Sequence, residues 1–143
     1  VTYHPVILID SGILFAYYSA SDHHHVSVCT FFEQCTSRLL TTPSYITEVM
    51  WLLSAQWQTQ NEFLLDVAKE IYECATLLPQ DFCRIAELNA QYADLPGDFA
   101  DLTLVALSER LDISAIATLD SDFNLYRRYR KQPFDRVFLP EYS

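Results

Sequence analysis

The sequence predicts an α/β domain built on a mainly parallel sheet. Two observations carry this. Short apolar runs end in an acid, as in Val6-Ile7-Leu8-Ile9-Asp10 and in Ser114-Ala115-Ile116-Ala117-Thr118-Leu119-Asp120. Between such runs the apolar residues recur at helical spacing, so strands and helices alternate.

The elements follow in order. The run over 6–10 is continuous and apolar, which suits a strand buried on both faces. Helical patterns cover 15–19 and then 22–35. Leu39-Leu40-Thr41-Thr42 predicts a short strand. Thr42-Pro43 then reads as a helix start, a hydroxyl cap followed by proline in the first turn, and the helix runs to about residue 57. Phe63, Val67, Ala68, Ile71 and Tyr72 predict a helix over 62–74. A strand at 75–78 stops at Pro79, and a helix covers 80–92. Pro96-Gly97 breaks the chain before a helix over 98–111. A strand at 114–120, a short helix at 123–129 and a last strand at 136–139 complete the order. No repeat and no linker divides the 143 residues, so the expectation is one domain spanning 1–143.

Composition narrows the classes. Half the residues are hydrophobic, which argues against disorder. The apolar runs fall short of the roughly 20 residues a membrane helix needs. No signal peptide is visible, and because the sequence begins with Val1 the native start stays open. Cys29, Cys35, Cys74 and Cys83 form no CxxC pair and no zinc spacing. They read as reduced core thiols of a cytoplasmic protein. His23-His24-His25 reads as a surface or helix-start segment, because adjacent helical residues point in different directions.

The net charge of −10 disfavours gripping nucleic acid by charge alone. Yet five of the nine basic residues, Arg127, Arg128, Arg130, Lys131 and Arg136, crowd near the C-terminus. This run is either a solvated face or a local phosphate-contacting patch.

The acids carry the functional argument. Asp10 and Asp120 each close a buried strand, and ligands collect beyond the carboxyl ends of parallel strands. Each could instead cap the helix that follows. Glu48 lies inside a helix among Tyr45, Trp51 and Leu52. A carboxylate there needs compensation, by a divalent cation or by a hydrogen bond from Ser44 or a more distant hydroxyl. In DFADLTLVALSERL, Asp98 fits the N-cap. Asp101 falls at the third helical position, at the edge of a face carrying Leu104 and Val105. Asp122, two residues past Asp120, adds a further contact or is simply exposed.

The segments VILIDSG, TTPSYITEV, DFADLTLVALSERL and ATLDSDFNLYRR, in this order and spacing, resemble the PIN domain, most of all its VapC-type toxin branch. The resemblance covers nearly the whole chain. It implies a three-layer α/β/α sandwich around a central, mainly parallel sheet. It implies a metal-dependent endoribonuclease, with the acidic site on Asp10, Glu48, Asp101 and Asp120. Asp122 matches an acid present in only some members. Ser11 matches a small hydroxyl position that supports the site. A homodimer and a cognate antitoxin are implied in the same way.

Four crowded carboxylates repel one another without a cation. Hard oxygen ligands suit Mg²⁺ or Mn²⁺. Such ions, in ones or in pairs roughly 3.5–4 Å apart, activate water for attack on a phosphodiester. They also make an acidic pocket receptive to phosphate, while Arg127, Arg128, Arg130 and Lys131 would hold the RNA backbone outside it.

Two alternatives stand beside this. Asp120-Ser121-Asp122 resembles the DxD of Toprim-type nucleases, but neither Gly12 nor Gly97 precedes a suitable glutamate. A catalytically silent PIN-like binding module would have lost acids, and here all four are present.

Overall fold

In a computed structural model, which describes residues 3–95 and 98–139, five parallel strands form the central sheet. The elements are β1 (Val6–Ile9), α1 (Ser11–Tyr18), α2 (His25–Gln34), β2 (Arg38–Thr41), α3 (Pro43–Leu52), α4 (Trp57–Ala68), β3 (Glu73–Cys74), α5 (Pro79–Gln91), α6 (Phe99–Arg110) and β4 (Ala115–Ala117). A 3₁₀ turn over Ser121–Asn124 leads to β5 (Arg127–Arg128), β6 (Gln132–Pro133) and β7 (Asp135–Arg136). The sheet order is β3-β2-β1-β4-β7, and β5 and β6 form a separate antiparallel hairpin.

Side-chain alternation along the strands separates two cores. Ile7, Ile9, Leu39, Ala115 and Ala117 face Ile13, Leu14, Val28, Val49 and Phe63 on one side. Leu8, Leu40 and Ile116 face Ile85, Leu88, Leu102, Val105 and Phe123 on the other. Helices thus cover both faces, giving the expected three layers. Helix α6 is buried all round, from Ala100 to Ser108. That position explains its lack of a polar face. Its Thr103 and Ser108 hydroxyls turn inward to donate to the carbonyls of Ala100 and Val105.

Several boundaries differ from the sequence expectation. The helix begun at Pro43 stops at Leu52, and a new one starts at Trp57, with Gln60 Nε2 donating across the turn to Met50 O at 2.8 Å. The helix read over 62–74 ends at Ala68. Glu70 takes a left-handed φ of 59°, and the chain then extends into β3, paired with Leu40 and Thr41. Tyr72 is pulled under the sheet by the Tyr18 hydroxyl, which donates to its oxygen at 3.1 Å. The strand expected at 75–78 is therefore displaced to 73–74. The helix expected at 123–129 is a 3₁₀ turn followed by the β5–β6 hairpin, whose tip holds Tyr129 and Arg130 at positive φ. The last strand lies at 135–136 rather than 136–139. The Pro96-Gly97 break lies outside the described residues. The cysteines are free but are not core residues: Cys29 and Cys35 are half-buried, and Cys74 and Cys83 are exposed. Among the described residues no helix is long and apolar enough to cross a membrane.

Arg128 anchors the hairpin. Its buried guanidinium donates to Ser108 O at 3.1 Å and to Ser108 Oγ and Asp112 Oδ1 at 3.3 Å. Removing it leaves Ser108 without these partners. Arg128→Ala should cost about 2 kcal/mol of stability, whereas exposed Arg130→Ala should cost under about 0.5 kcal/mol. Urea unfolding midpoints of the two variants check the contrast.

Candidate active site

Strands β2 and β3 extend the sheet on one side of β1, and β4 and β7 extend it on the other. The chain reverses its winding between β1 and β4, and in open sheets of this kind the ligand crevice lies beyond the carboxyl ends of the strands at that point. Asp10 follows β1 directly and is buried there. One carboxylate oxygen caps α1 by accepting from Ile13 N at 3.2 Å. The other accepts from the Thr118 hydroxyl, just past β4. Thr118 Oγ in turn accepts from Asp120 N at 2.9 Å, and Arg136 donates to Thr118 O at 2.9 Å. Asp120 caps the 3₁₀ turn through Asp122 N at 2.9 Å. Both strand-end acids are therefore caps, and Asp120 also belongs to a group of three close carboxylates.

Asp101 enters from the first turn of α6. Carboxylate oxygens of Asp101, Asp120 and Asp122 lie within 4.8 Å of one another. Asp101 is buried, and Tyr45 of α3 donates to its Oδ1 at 2.5 Å. Glu48, one turn beyond Tyr45, accepts from Ser11 Oγ at 2.6 Å. Its hydroxyl partner is thus the distant Ser11 and not Ser44. Asp98 caps α6 through Ala100 N at 3.1 Å.

The electrostatics are those of carboxylates gathered out of water. Burial pushes the Asp101 carboxyl up to about 7, against the opposing hydrogen bond from Tyr45, and Asp120, Asp10 and Asp98 add to the rise. Burial likewise pushes Asp10 up to about 6, with a smaller push from Asp120, although its bonds from Thr118 and Ile13 oppose it. Glu48 is raised by burial, with Asp98 adding to the effect against the Ser11 bond. A divalent cation beside Asp101 would favour its charged form, and a set of hard carboxylate oxygens suits one. The Tyr126 hydroxyl, buried beside these acids, has no partner among the described residues. Asp101, Asp120 and Asp122 form a group that could hold a metal ion; Asp10 and Glu48, expected as ligands too, are not part of that group.

The basic residues do not form one surface. Arg128 is buried under the hairpin and is corrected from an RNA-binding candidate to a structural one. Arg127 is half-buried, donating to Asn124 O and Tyr126 O. Arg130 and Lys131 are exposed at the hairpin tip, Arg130 lying 3.6 Å from Glu87.

Sequence reasoning missed Thr118, Asp98 as a neighbour of Glu48, and the two tyrosines. Thr118 carried a signal, since it shares a strand face with Asp120 two residues on. Tyr45 stood one helical turn before Glu48. Tyr126 carried no local signal.

Residues 7–129 match the PIN domain model. The chain belongs to the PIN domain family. This PIN domain is 25% identical to Ribonuclease VapC26 of Mycobacterium tuberculosis over 116 residues, 80% of this chain and 86% of that protein. Its fold is similar to the crystal structure of Mycobacterium tuberculosis VapC20, a sarcin–ricin loop cleaving toxin, with a TM-score of 0.77 at 16% identity. That match covers 89% of this chain and 99% of the other.

The raised carboxyls set a pH dependence. Asp10 and Asp101 ionise near 3.8 in the unfolded chain but near 6 and 7 in the folded one. The stability they contribute is full below pH 3.8 and is lost as pH rises through 6 to 7. Metal-free Asp101→Asn should therefore melt above the parent at pH 8, and the difference should shrink towards pH 4. Thermal melts in EDTA across that range measure it; equal melting temperatures at pH 8 would contradict the burial argument.

Proposed function

We propose that this PIN domain is a Mg²⁺- or Mn²⁺-dependent endoribonuclease, the toxin of a toxin–antitoxin pair. The observation that carries the reading is the convergence of Asp101, Asp120 and Asp122, with buried Asp10 beside them, at the switch point of a PIN fold. The ribonuclease name of VapC26 and the RNA-cleaving description of VapC20 support RNA as the substrate.

A bound divalent ion supplies Lewis acidity and activates water at neutral pH. The chain's own residues do the rest. Thr118 and Ile13 fix both Asp10 oxygens, so that carboxylate has one orientation. Tyr45 fixes Asp101 from α3, and Ser11 fixes Glu48 from α1. Asp10, Asp101 and Glu48 are thus held before substrate arrives, which lowers reorganisation during reaction. Arg130 and Lys131 offer backbone contacts to the RNA. A homodimer and an antitoxin that covers the acidic crevice complete the reading.

Cleavage of a mixed single-stranded RNA should require Mn²⁺ or Mg²⁺ and fall to background in Asp10→Asn and Asp101→Asn. Cleavage that persists in EDTA would overturn metal dependence. In the Asp10→Asn background, where RNA stays intact, Arg130→Ala with Lys131→Ala should flatten the log–log salt slope of RNA binding by about 1.4, two contacts at about 0.7 each. An unchanged slope removes the hairpin tip from the RNA path.

A further inference from the structure

Among the described residues three tyrosines are fully buried: Tyr45, Tyr72 and Tyr126. The first two have hydroxyl partners, Asp101 and Tyr18. The Tyr126 hydroxyl has none among the described residues. Its ring is locked, edge-on to Tyr92 and to Phe123 with both centroids at 5.2 Å. Its backbone N–H donates to Asp122 O at 3.1 Å, which ties it to the acidic turn. Burial, and after it the charges of Asp101, Asp122, Asp120 and Asp98, oppose ionisation of this hydroxyl. A buried hydroxyl without a partner is disfavoured, and such exceptions mark missing water, ions or function.

We infer that Tyr126 is a positioning residue of the metal centre, its hydroxyl holding a water in the hydration shell of the cation at Asp101, Asp120 and Asp122. The inference rests on the metal-dependent reading above. A small divalent ion bound by few carboxylates keeps several waters, and these need acceptors. Tyr126 offers a neutral, unpartnered oxygen on a locked ring packed against Phe123 of the turn that carries Asp122. Tyr45 holds Asp101 directly; Tyr126 acts through solvent. Groups in this outer position tune metal affinity.

The test uses the whole chain and Mn²⁺ as probe. Tyr126→Phe keeps the ring and deletes only the orphan oxygen. In EDTA it should melt at or above the parent temperature, because a disfavoured hydroxyl is gone. By calorimetric titration its Mn²⁺ dissociation constant should weaken about tenfold, with a matching loss of Mn²⁺-induced thermal stabilisation. Asp101→Asn is the control and should lose that stabilisation altogether. If Asp101→Asn keeps the Mn²⁺ gain, the metal-site reading itself fails. If it loses the gain while Tyr126→Phe binds Mn²⁺ like the parent, only the role of Tyr126 fails. A Tyr126→Phe protein that melts lower in EDTA with unchanged Mn²⁺ affinity marks the hydroxyl as structural and overturns the inference.

Discussion

The hydrogen bond from Thr118 to Asp10 joins the two central strands at their carboxyl ends. Everything in the crevice is placed with respect to it. Asp10 takes its other oxygen to the start of α1, so that helix is aimed from the same point. Thr118 passes the constraint on to Asp120 through its own oxygen. Arg136, on the neighbouring strand, braces the Thr118 carbonyl. The bond exists because a parallel sheet that reverses its winding must put two strand ends side by side with nothing between them.

Around that fixed pair the helices bring carboxylates from the remaining directions. Helix α3 brings Glu48 and the tyrosine that steadies Asp101, and α6 brings Asp101 in its first turn. An acid near a helix N-terminus gains from the dipole, which partly offsets the repulsion gathered in the crevice. Burial first, and repulsion after it, raise the Asp10 and Asp101 carboxyls in the folded state. The net charge of −10 therefore says little about substrate. The charge that matters is confined to one rim.

The strand ends were legible because burial on both faces leaves continuous apolar runs, and an acid closing such a run stands out. Helix α6 was legible as a helix, but its all-round burial was not. No local pattern reveals that a second helix and a hairpin cover its far side. The misplaced β3 has a similar cause: apolar spacing over 62–74 fits a helix, and only the left-handed turn at Glu70 and the demand of Tyr72 for the core redirect the chain. The grouping of Arg127, Arg128, Arg130 and Lys131 failed because adjacency in sequence is not adjacency on a surface. A hairpin sends neighbours to opposite faces, and Arg128 went inward. Asp98 and Asp101 were separable by their helical positions, but the nearness of Asp98 to Glu48 depends on how α3 packs against α6.

The bond between Thr118 and Asp10 spans 108 residues. During synthesis the first aspartate leaves the ribosome long before its partner exists. That bond cannot form until β4 has emerged and paired with β1. An unfinished chain thus carries its earliest acid in an unassembled form. Late assembly thus confines the finished group of carboxylates to the completed molecule.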